Sequence, residues 1–332
     1  MGDLPPFRTC RRTASRSLRR VTPSPEPSIL PPPRRISRAT LIAVAAVLLC
    51  ALIWGTTWYG ITWQLGVVDP IVSVTWRFGL AALALFAGIA VARRQLSLTR
   101  PQHLEAMGQG AFTFAVSYAF TYSSEQHVPS AIVAVIFAAL AFLNLTLFRL
   151  VHGQKAHRLA WAGAVLGVVG VAVLSGSELI SARLGPAAGL GIGLAALAVT
   201  SAAIGNLFAW RAQRAGAPIL ASTAWAMTYG TVMLALYGVV TGAEFRIDPS
   251  PGYLISLVYL ALLGSVVAFV VYFWLARTRG YALASYISAL TPPIAMGVSA
   301  LFEGARFGIL ALVGLIVVLA GQGLIIRAQK AK

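Results

Sequence analysis

Ten runs of mostly apolar residues follow one another along the chain, and short polar or turn-forming stretches separate them. A helix rises about 1.5 Å per residue and the hydrocarbon core of a bilayer is about 30 Å thick, so a spanning helix needs about 20 such residues. The third run is the weakest because Gln109, Ser117, Tyr118 and Tyr122 interrupt it. The pattern predicts ten spans, numbered in chain order: 41–62, 70–91, 107–124, 131–149, 160–176, 188–210, 218–240, 253–276, 282–302 and 308–326.

The composition is typical of a membrane protein. Hydrophobic residues make up 58% of the chain and charged residues 11%, against about 45–50% and about 25% in an ordinary soluble domain. This excludes a soluble enzyme, a disordered protein and a fibrous protein. Residues 1–39 differ from the rest, since they hold nine arginines and eight of the 17 prolines. We expect them to form a disordered basic tail in the cytoplasm, near anionic lipid headgroups.

The positive charges lie almost entirely on one side of the predicted bilayer. The chain has 26 Lys and Arg against 9 Asp and Glu, a formal net charge of +17. The ten spans place 22 of the 26 on the side of the tail and three on the other side, Arg183, Arg246 and Arg306, with Arg77 inside span 2. Positive residues accumulate on the cytoplasmic side, so both termini are expected in the cytoplasm, with the protein in a bacterial plasma (inner) membrane. The excess charge therefore records orientation and does not require a nucleic acid partner.

The two halves of the chain share an internal repeat. Gly163 and Gly170 match Gly314 and Gly321 at an offset of 151, Gly55 matches Gly205 at 150, and residues 74–76 match 223–225 at 149. Because each half has five spans, the second half must sit inverted relative to the first. Inverted repeats with a site at their interface are a transporter architecture.

Five short motifs carry a family resemblance: Trp54-Gly55-Thr56-Thr57, Trp76-Arg77-Phe78, Glu125-Gln126-His127-Val128-Pro129-Ser130, Leu290-Thr291-Pro292-Pro293 and Phe302-Glu303-Gly304. With the glycine-spaced tenth span, they make the chain resemble the EamA family of the drug/metabolite transporter superfamily over about residues 42–328. Two positions depart from the family pattern: Ala141-Phe142 stands where a proline is usual, and Gly153-Gln154 where a Gly-Glu is usual.

The resemblance implies an all-α integral membrane protein with ten transmembrane helices, arranged as two inverted five-helix repeats over residues 42–176 and 186–328. It also implies export, less often import, of small metabolites, for which amino acids are our best expectation. The expected partners are a small-molecule solute and membrane lipid, and a homodimer stays open. An integral-membrane enzyme acting on a lipid or small amphiphile is the alternative, and the scarcity of intramembrane acids and histidines disfavours it.

Arg77 is the most informative candidate residue. It lies seven residues past Pro70, about 10 Å into span 2, where a charged side chain costs about 2.5–3.5 kcal/mol on insertion scales. Its guanidinium is expected to meet a substrate carboxylate or a helix-end carbonyl on the transport path. The alternatives are a structural pair that fixes helix packing and snorkelling toward an interface.

The other candidates follow from polar, aromatic or helix-breaking residues within the spans. Pro292 and Pro293 remove two backbone donors, which predicts a helix break or kink at the cavity. Asn144 and Asn206 are expected either to bind a ligand or to join helices. The remaining predicted cavity residues are Trp54, Tyr118 and Tyr286, and aromatic residues at helix ends are alternatively interfacial anchors. Glu125 and Glu303 are considered for proton coupling, although a solvated acid at a helix end is the commoner case.

The sequence predicts no catalytic residue, metal or cofactor. Two cysteines and four histidines do not form a metal-ligand pattern, and a Walker-type phosphate loop is absent. The chain is therefore expected to use a solute or proton gradient rather than ATP.

Overall fold

The computed structural model describes residues 38–153, 155–180, 186–279 and 281–330, and these contain helices and no strand. The predicted disordered tail lies outside the described residues except for its last two positions. Each of the ten predicted spans coincides with helix. Eight helical segments are long and apolar enough to cross a membrane, and span 9 adds a shorter apolar stretch, Leu290–Phe302. Span 3 is not among the eight, in line with its polar interruptions.

In the described residues, six spans are single helices without an internal proline. A seventh is a single helix that contains Pro292 and Pro293. The six are α1 (Arg38–Thr62), α2 (Pro70–Val91), α7 (Arg158–Ile180), α8 (Ala188–Arg214), α9 (Ile219–Thr241) and α13 (Ile309–Lys330). Span 9 is α12 (Tyr281–Phe302), which continues through Pro292 and Pro293 without interruption. The predicted helix break is therefore not an end of the helix in this structure.

Three spans change helical type in the middle. Span 3 consists of α3 (Arg100–Gln109), a π-helix π1 (Gly110–Val116) and α4 (Ser117–Glu125), and span 8 of α10 (Pro251–Tyr259), π2 (Leu260–Val267) and α11 (Ala268–Arg279). Span 4 consists of α5 (Ser130–Ile136), a 3₁₀ turn (Phe137–Ala139) and α6 (Leu140–His152). This turn ends at Ala139, two residues before Ala141, so span 4 changes geometry without the family's usual proline.

Capping residues define several helix ends. The side chain of Asp69 accepts from Ile71 N at 2.7 Å at the start of α2, and Thr99 forms a capping box with Gln102 at the start of α3. Gly153 and Gly242 end α6 and α9 with φ of 61° and 74°, a left-handed conformation that only glycine adopts at little energetic cost. The turn signals between the apolar runs therefore lie where the helices begin and end.

The glycines of spans 5 and 10 allow α7 and α13 to touch through their backbones. A Cβ placed on Gly170 would lie 2.7 Å from the carbonyl oxygen of Gly314, and one on Gly314 would lie 2.8 Å from that of Gly170. Gly163 and Gly321 face each other in the same way. Residue numbers rise along one helix as they fall along the other, so these equivalent helices are antiparallel. The second repeat is thus inverted relative to the first.

A pair of tryptophans confirms this symmetry at α2 and α9. The indole N–H of Trp76 donates to the carbonyl of Arg246 at 3.2 Å, and that of Trp225 donates to the carbonyl of Leu96 at 3.2 Å. Each tryptophan therefore anchors its helix to the loop that follows the equivalent helix of the other half. The residue matches at an offset of 149 are structural equivalents.

The π-helices also occupy equivalent places. Gly110 and Leu260, which begin π1 and π2, are 150 residues apart, as the repeat requires. Span 3 packs against α8 of the second half, and span 8 packs against α1 of the first. The centre of each half therefore contacts the other half through irregular backbone. π-Helical segments are uncommon and occur frequently at functional sites.

Candidate functional site

Arg77 lies in α2 with 1% of its surface exposed. Its Nε donates to Ser265 Oγ at 3.1 Å and its Nη1 to the hydroxyl of Tyr122 at 3.3 Å. The guanidinium carbon also lies 4.7 Å from the ring centroid of Tyr118 and 5.3 Å from that of Phe78, close enough for cation–π attraction. The charge predicted inside span 2 is therefore held by protein groups and does not snorkel.

The two hydroxyls that accept from Arg77 donate in turn to other groups. Tyr122 donates to Gln64 Oε1 at 3.1 Å, and Ser265 donates to the carbonyl oxygen of Leu260 at 2.9 Å within π2. Each hydroxyl thus uses its proton and a lone pair. The result is a buried polar chain, Gln64–Tyr122–Arg77–Ser265, that runs from the first half into the π-helix of the second.

Trp54 reaches the same π-helix from α1. Its indole N–H donates to the carbonyl of Gly264 at 3.2 Å, and its ring contacts Phe269 and Tyr272, each with a centroid distance of 5.4 Å. A Cβ on Gly264 would lie 2.7 Å from Cγ2 of Thr57, so α1 and π2 approach closely there. The structure brings three of the predicted cavity residues, Trp54, Arg77 and Tyr118, to one region.

The equivalent region of the other half is built from different residues. Ser201 of α8 donates to the carbonyl of Phe112 in π1 at 2.7 Å, and Ser117 donates to the carbonyl of Ala198 at 2.8 Å. Ala226 stands 149 residues after Arg77, where the repeat places its counterpart. Arg77 therefore has no charged counterpart in the second half, although the two regions occupy equivalent positions in the repeat.

Glu125, at the end of α4, is buried with 7% of its surface exposed. Both of its carboxylate oxygens lack a hydrogen-bond partner. Glu303, after α12, is half-buried and accepts from Ser130 Oγ at 2.8 Å. The solvated helix-end position considered from sequence therefore does not describe Glu125, while Glu303 ties the end of span 9 to the start of span 4.

Asn144 and Asn206 bond to each other, with Nδ2 of Asn206 donating to Oδ1 of Asn144 at 3.3 Å. They join α6 to α8, which is the second of the two roles considered for them. Pro292 is buried and Pro293 half-buried within α12. The side chain of Tyr286 lies outside the described part of the structure.

Sequence reasoning did not include Gln64 or Ser265 among the site residues, although both are completely buried. Ser265 interrupts the long apolar run of span 8, and Gln64 lies two residues after the end of span 1. Polar residues in such surroundings are a usable signal. Their partners lie 188 and 58 residues away, so the pattern could not join them.

Comparison with known proteins identifies the same family as the motifs. A model of the EamA-like transporter family matches residues 41–176 and 189–327. "Uncharacterized inner membrane transporter YedA" of Escherichia coli K12 is 28% identical over 261 residues, which cover 78% of this chain and 82% of that protein. The "Probable amino-acid metabolite efflux pump" of the same organism is 24% identical over 285 residues, covering 82% and 91%.

A solved crystal structure has the same fold. It superposes with a TM-score of 0.66 at 18% sequence identity and covers 89% of this chain and all of its own. At this identity the likeness concerns the fold alone.

Proposed function

The chain belongs to the EamA-like transporter family, and from this premise we propose that it is a secondary transporter that exports small metabolites, such as amino acids, by alternating access. In this mechanism two inverted repeats rock against each other, and a site between them opens to one side of the membrane at a time. The transporter names of the relatives and the multi-pass helical structure support this proposal.

The buried chain Gln64–Tyr122–Arg77–Ser265 is the observation that carries the proposal. Three of its members belong to the first half, and Ser265 belongs to the second. Intramembrane ionisable residues mark solute and ion paths, and irregular backbone is tolerated at membrane depth only against protein or a water-filled cavity. We propose that this contact is remade as the halves rock, with Trp54 and Tyr118 beside it in the transport path.

The remaining candidates stay predictions. Asn144, Asn206 and Tyr286 are proposed members of the transport path, with the pair between the asparagines opening when solute passes. Glu125 and Glu303 are proposed to take part in proton exchange. Export of amino acids is supported by the name of the efflux pump that the chain resembles.

A metabolite profile tests the proposed function. The gene is deleted and overexpressed, and small metabolites are quantified in cytoplasm and medium by mass spectrometry. Deletion is expected to raise one or a few amine-containing metabolites in the cytoplasm and lower them in the medium, with the opposite change on overexpression. Profiles that do not differ between the strains would contradict export.

Both termini are expected in the cytoplasm because 22 of 26 Lys and Arg lie on that side of the ten spans. A green fluorescent protein fused after Lys332 should fluoresce, and alkaline phosphatase fused there should be inactive. As a control, alkaline phosphatase inserted after Ile247, in the loop between α9 and α10, should be active. The reverse pattern would overturn the topology.

Replacing Pro292 and Pro293 together by alanine is expected to slow turnover several-fold with little change in KM. The change restores two backbone donors and so stiffens α12. Flux in membrane vesicles gives kcat and KM. Pro251→Ala is the control, because Pro251 lies in the first turn of α10, where a missing N–H removes no helical hydrogen bond. An unchanged kcat would show that the two prolines form a static part of the helix.

A further inference from the structure

The carboxyl group of Glu125 is buried and has no hydrogen-bond partner. It lies at the end of α4, is 7% exposed, and neither oxygen accepts a hydrogen bond. A carboxylate removed from water is stable only if it is paired or protonated. Neighbouring Ser124, also buried, has its hydroxyl bonded to the carbonyl of Gly191 at 2.7 Å, so it does not donate to Glu125.

Neither of the charged groups that act on Glu125 forms a hydrogen bond with it. Arg77 attracts it and Glu303 repels it, but the guanidinium of Arg77 donates to Ser265 and Tyr122. The ion pair Arg246–Glu244, at the surface and 3.6 Å between Nη1 and Oε2, does not involve Glu125. Glu303 has a donor in Ser130, whereas Glu125 has none.

Buried donors without acceptors occur in the same part of the molecule. The amide nitrogen Nε2 of Gln64 has no partner, nor has the indole nitrogen of Trp58, whose ring packs against the apolar cluster that contains Val128. Gln64 is bonded through its oxygen to Tyr122, which precedes Glu125 by three residues and so lies on the same face of α4. Buried polar groups are normally satisfied, so an unpartnered carboxyl group and free donors together indicate a ligand with both donors and acceptors.

We propose that Glu125 binds the ammonium group of the transported solute, which makes the solute class small organic ammonium compounds, amino acids included. The ammonium supplies three donors to the two free carboxylate oxygens. The carboxylate of an amino acid supplies acceptors that match the free donors of Gln64 and Trp58. This inference rests on the proposed transport function and names the chemistry that the site selects.

Binding to the purified full-length chain in detergent tests the site without a gradient. The probes are the protein amino acids, their decarboxylated amines and their deaminated acids, for example leucine, 3-methylbutylamine and 4-methylpentanoate, followed by calorimetry. At least one amino acid or amine is expected to bind, and its deaminated analogue to bind at least about tenfold more weakly. Glu125→Gln should weaken binding of the ammonium probe at least about tenfold, and Glu125→Asp less.

Glu105→Gln is the matched control, because Glu105 lies in α3 toward the opposite end of the same span. It should bind as the unmodified protein does, and equal melting temperatures exclude misfolding as the cause of weaker binding by Glu125→Gln. Failure of every ammonium probe to bind, or binding that Glu125→Gln leaves unchanged, overturns the site. If Glu125→Gln melts at a much lower temperature than the unmodified protein, binding to Glu125→Asp decides instead. Weaker binding supports the site, and unchanged binding overturns it.

Flux in membrane vesicles separates this inference from the proposed function. Binding through Glu125 without flux of the bound solute would keep the ammonium site and contradict transport. Flux that is equal for amines and deaminated analogues, and insensitive to Glu125→Gln, would keep transport and contradict the site.

Discussion

Replacing Arg77 by alanine is expected to lower solute flux at least about a hundredfold while the protein still inserts into the membrane. The change removes two hydrogen bonds from a charged group, worth about 1.5–3 kcal/mol each, and every 1.4 kcal/mol is about a factor of ten in an equilibrium constant. One of these bonds joins the first half to π2, so its loss shifts the balance between the arrangements of the halves. Flux in vesicles containing equal amounts of protein measures the effect.

Two further variants make the Arg77 prediction specific. Arg77→Lys should restore little flux, because one ammonium group lacks the planar donors that reach Ser265 and Tyr122 together. Arg149→Ala should be neutral, since Arg149 is exposed in the last turn of α6. Full flux in Arg77→Ala would contradict a role for the buried polar chain in transport.

Replacing Gly170 by leucine is expected to lower the melting temperature of the purified protein by several degrees and to reduce its yield. A Cβ there would lie 2.6 Å from Val318 N and 2.7 Å from Gly314 O, and these backbone atoms move only if α7 and α13 separate. Overpacking of this kind costs about 1–3 kcal/mol or more. Thermal unfolding in detergent, followed by tryptophan fluorescence, is the measurement.

Gly167→Ala is the matched control for the glycine crossing. It lies on the same helix, and a Cβ there would meet nothing within 4 Å, so the change should be neutral or stabilising by about 0.4–1 kcal/mol. A melting temperature in Gly170→Leu equal to that of Gly167→Ala would contradict the close approach of α7 and α13.

The repeat could be predicted from sequence because the residues that recur have a direct role in helix packing. Gly163, Gly170, Gly314 and Gly321 recur at a fixed offset, and the helix crossing requires small residues there. The offset does not show which glycine meets which. Inversion pairs Gly170 with Gly314 rather than with its equivalent Gly321, a result of three-dimensional packing.

The site was only partly predictable. An intramembrane arginine is conspicuous in sequence, but its partner Ser265 lies in the other repeat, and local pattern carries no record of that contact. Glu125 has the sequence context of a solvated helix end. It is buried because the segment that follows it packs against α8. A Cβ on Gly191 of α8 would lie 2.9 Å from both His127 Cβ and Val128 Cγ1.

Counterflow in proteoliposomes tests alternating access by this protein most directly. Vesicles containing the purified chain are loaded with the unlabelled metabolite that accumulates in deletion cells, and a trace of labelled metabolite is added outside. A carrier whose single site faces one side at a time should drive a transient accumulation of label above its equilibrium level, and Arg77→Ala should abolish this overshoot. Label that enters only to equilibrium, or at the rate of protein-free vesicles, would contradict alternating access.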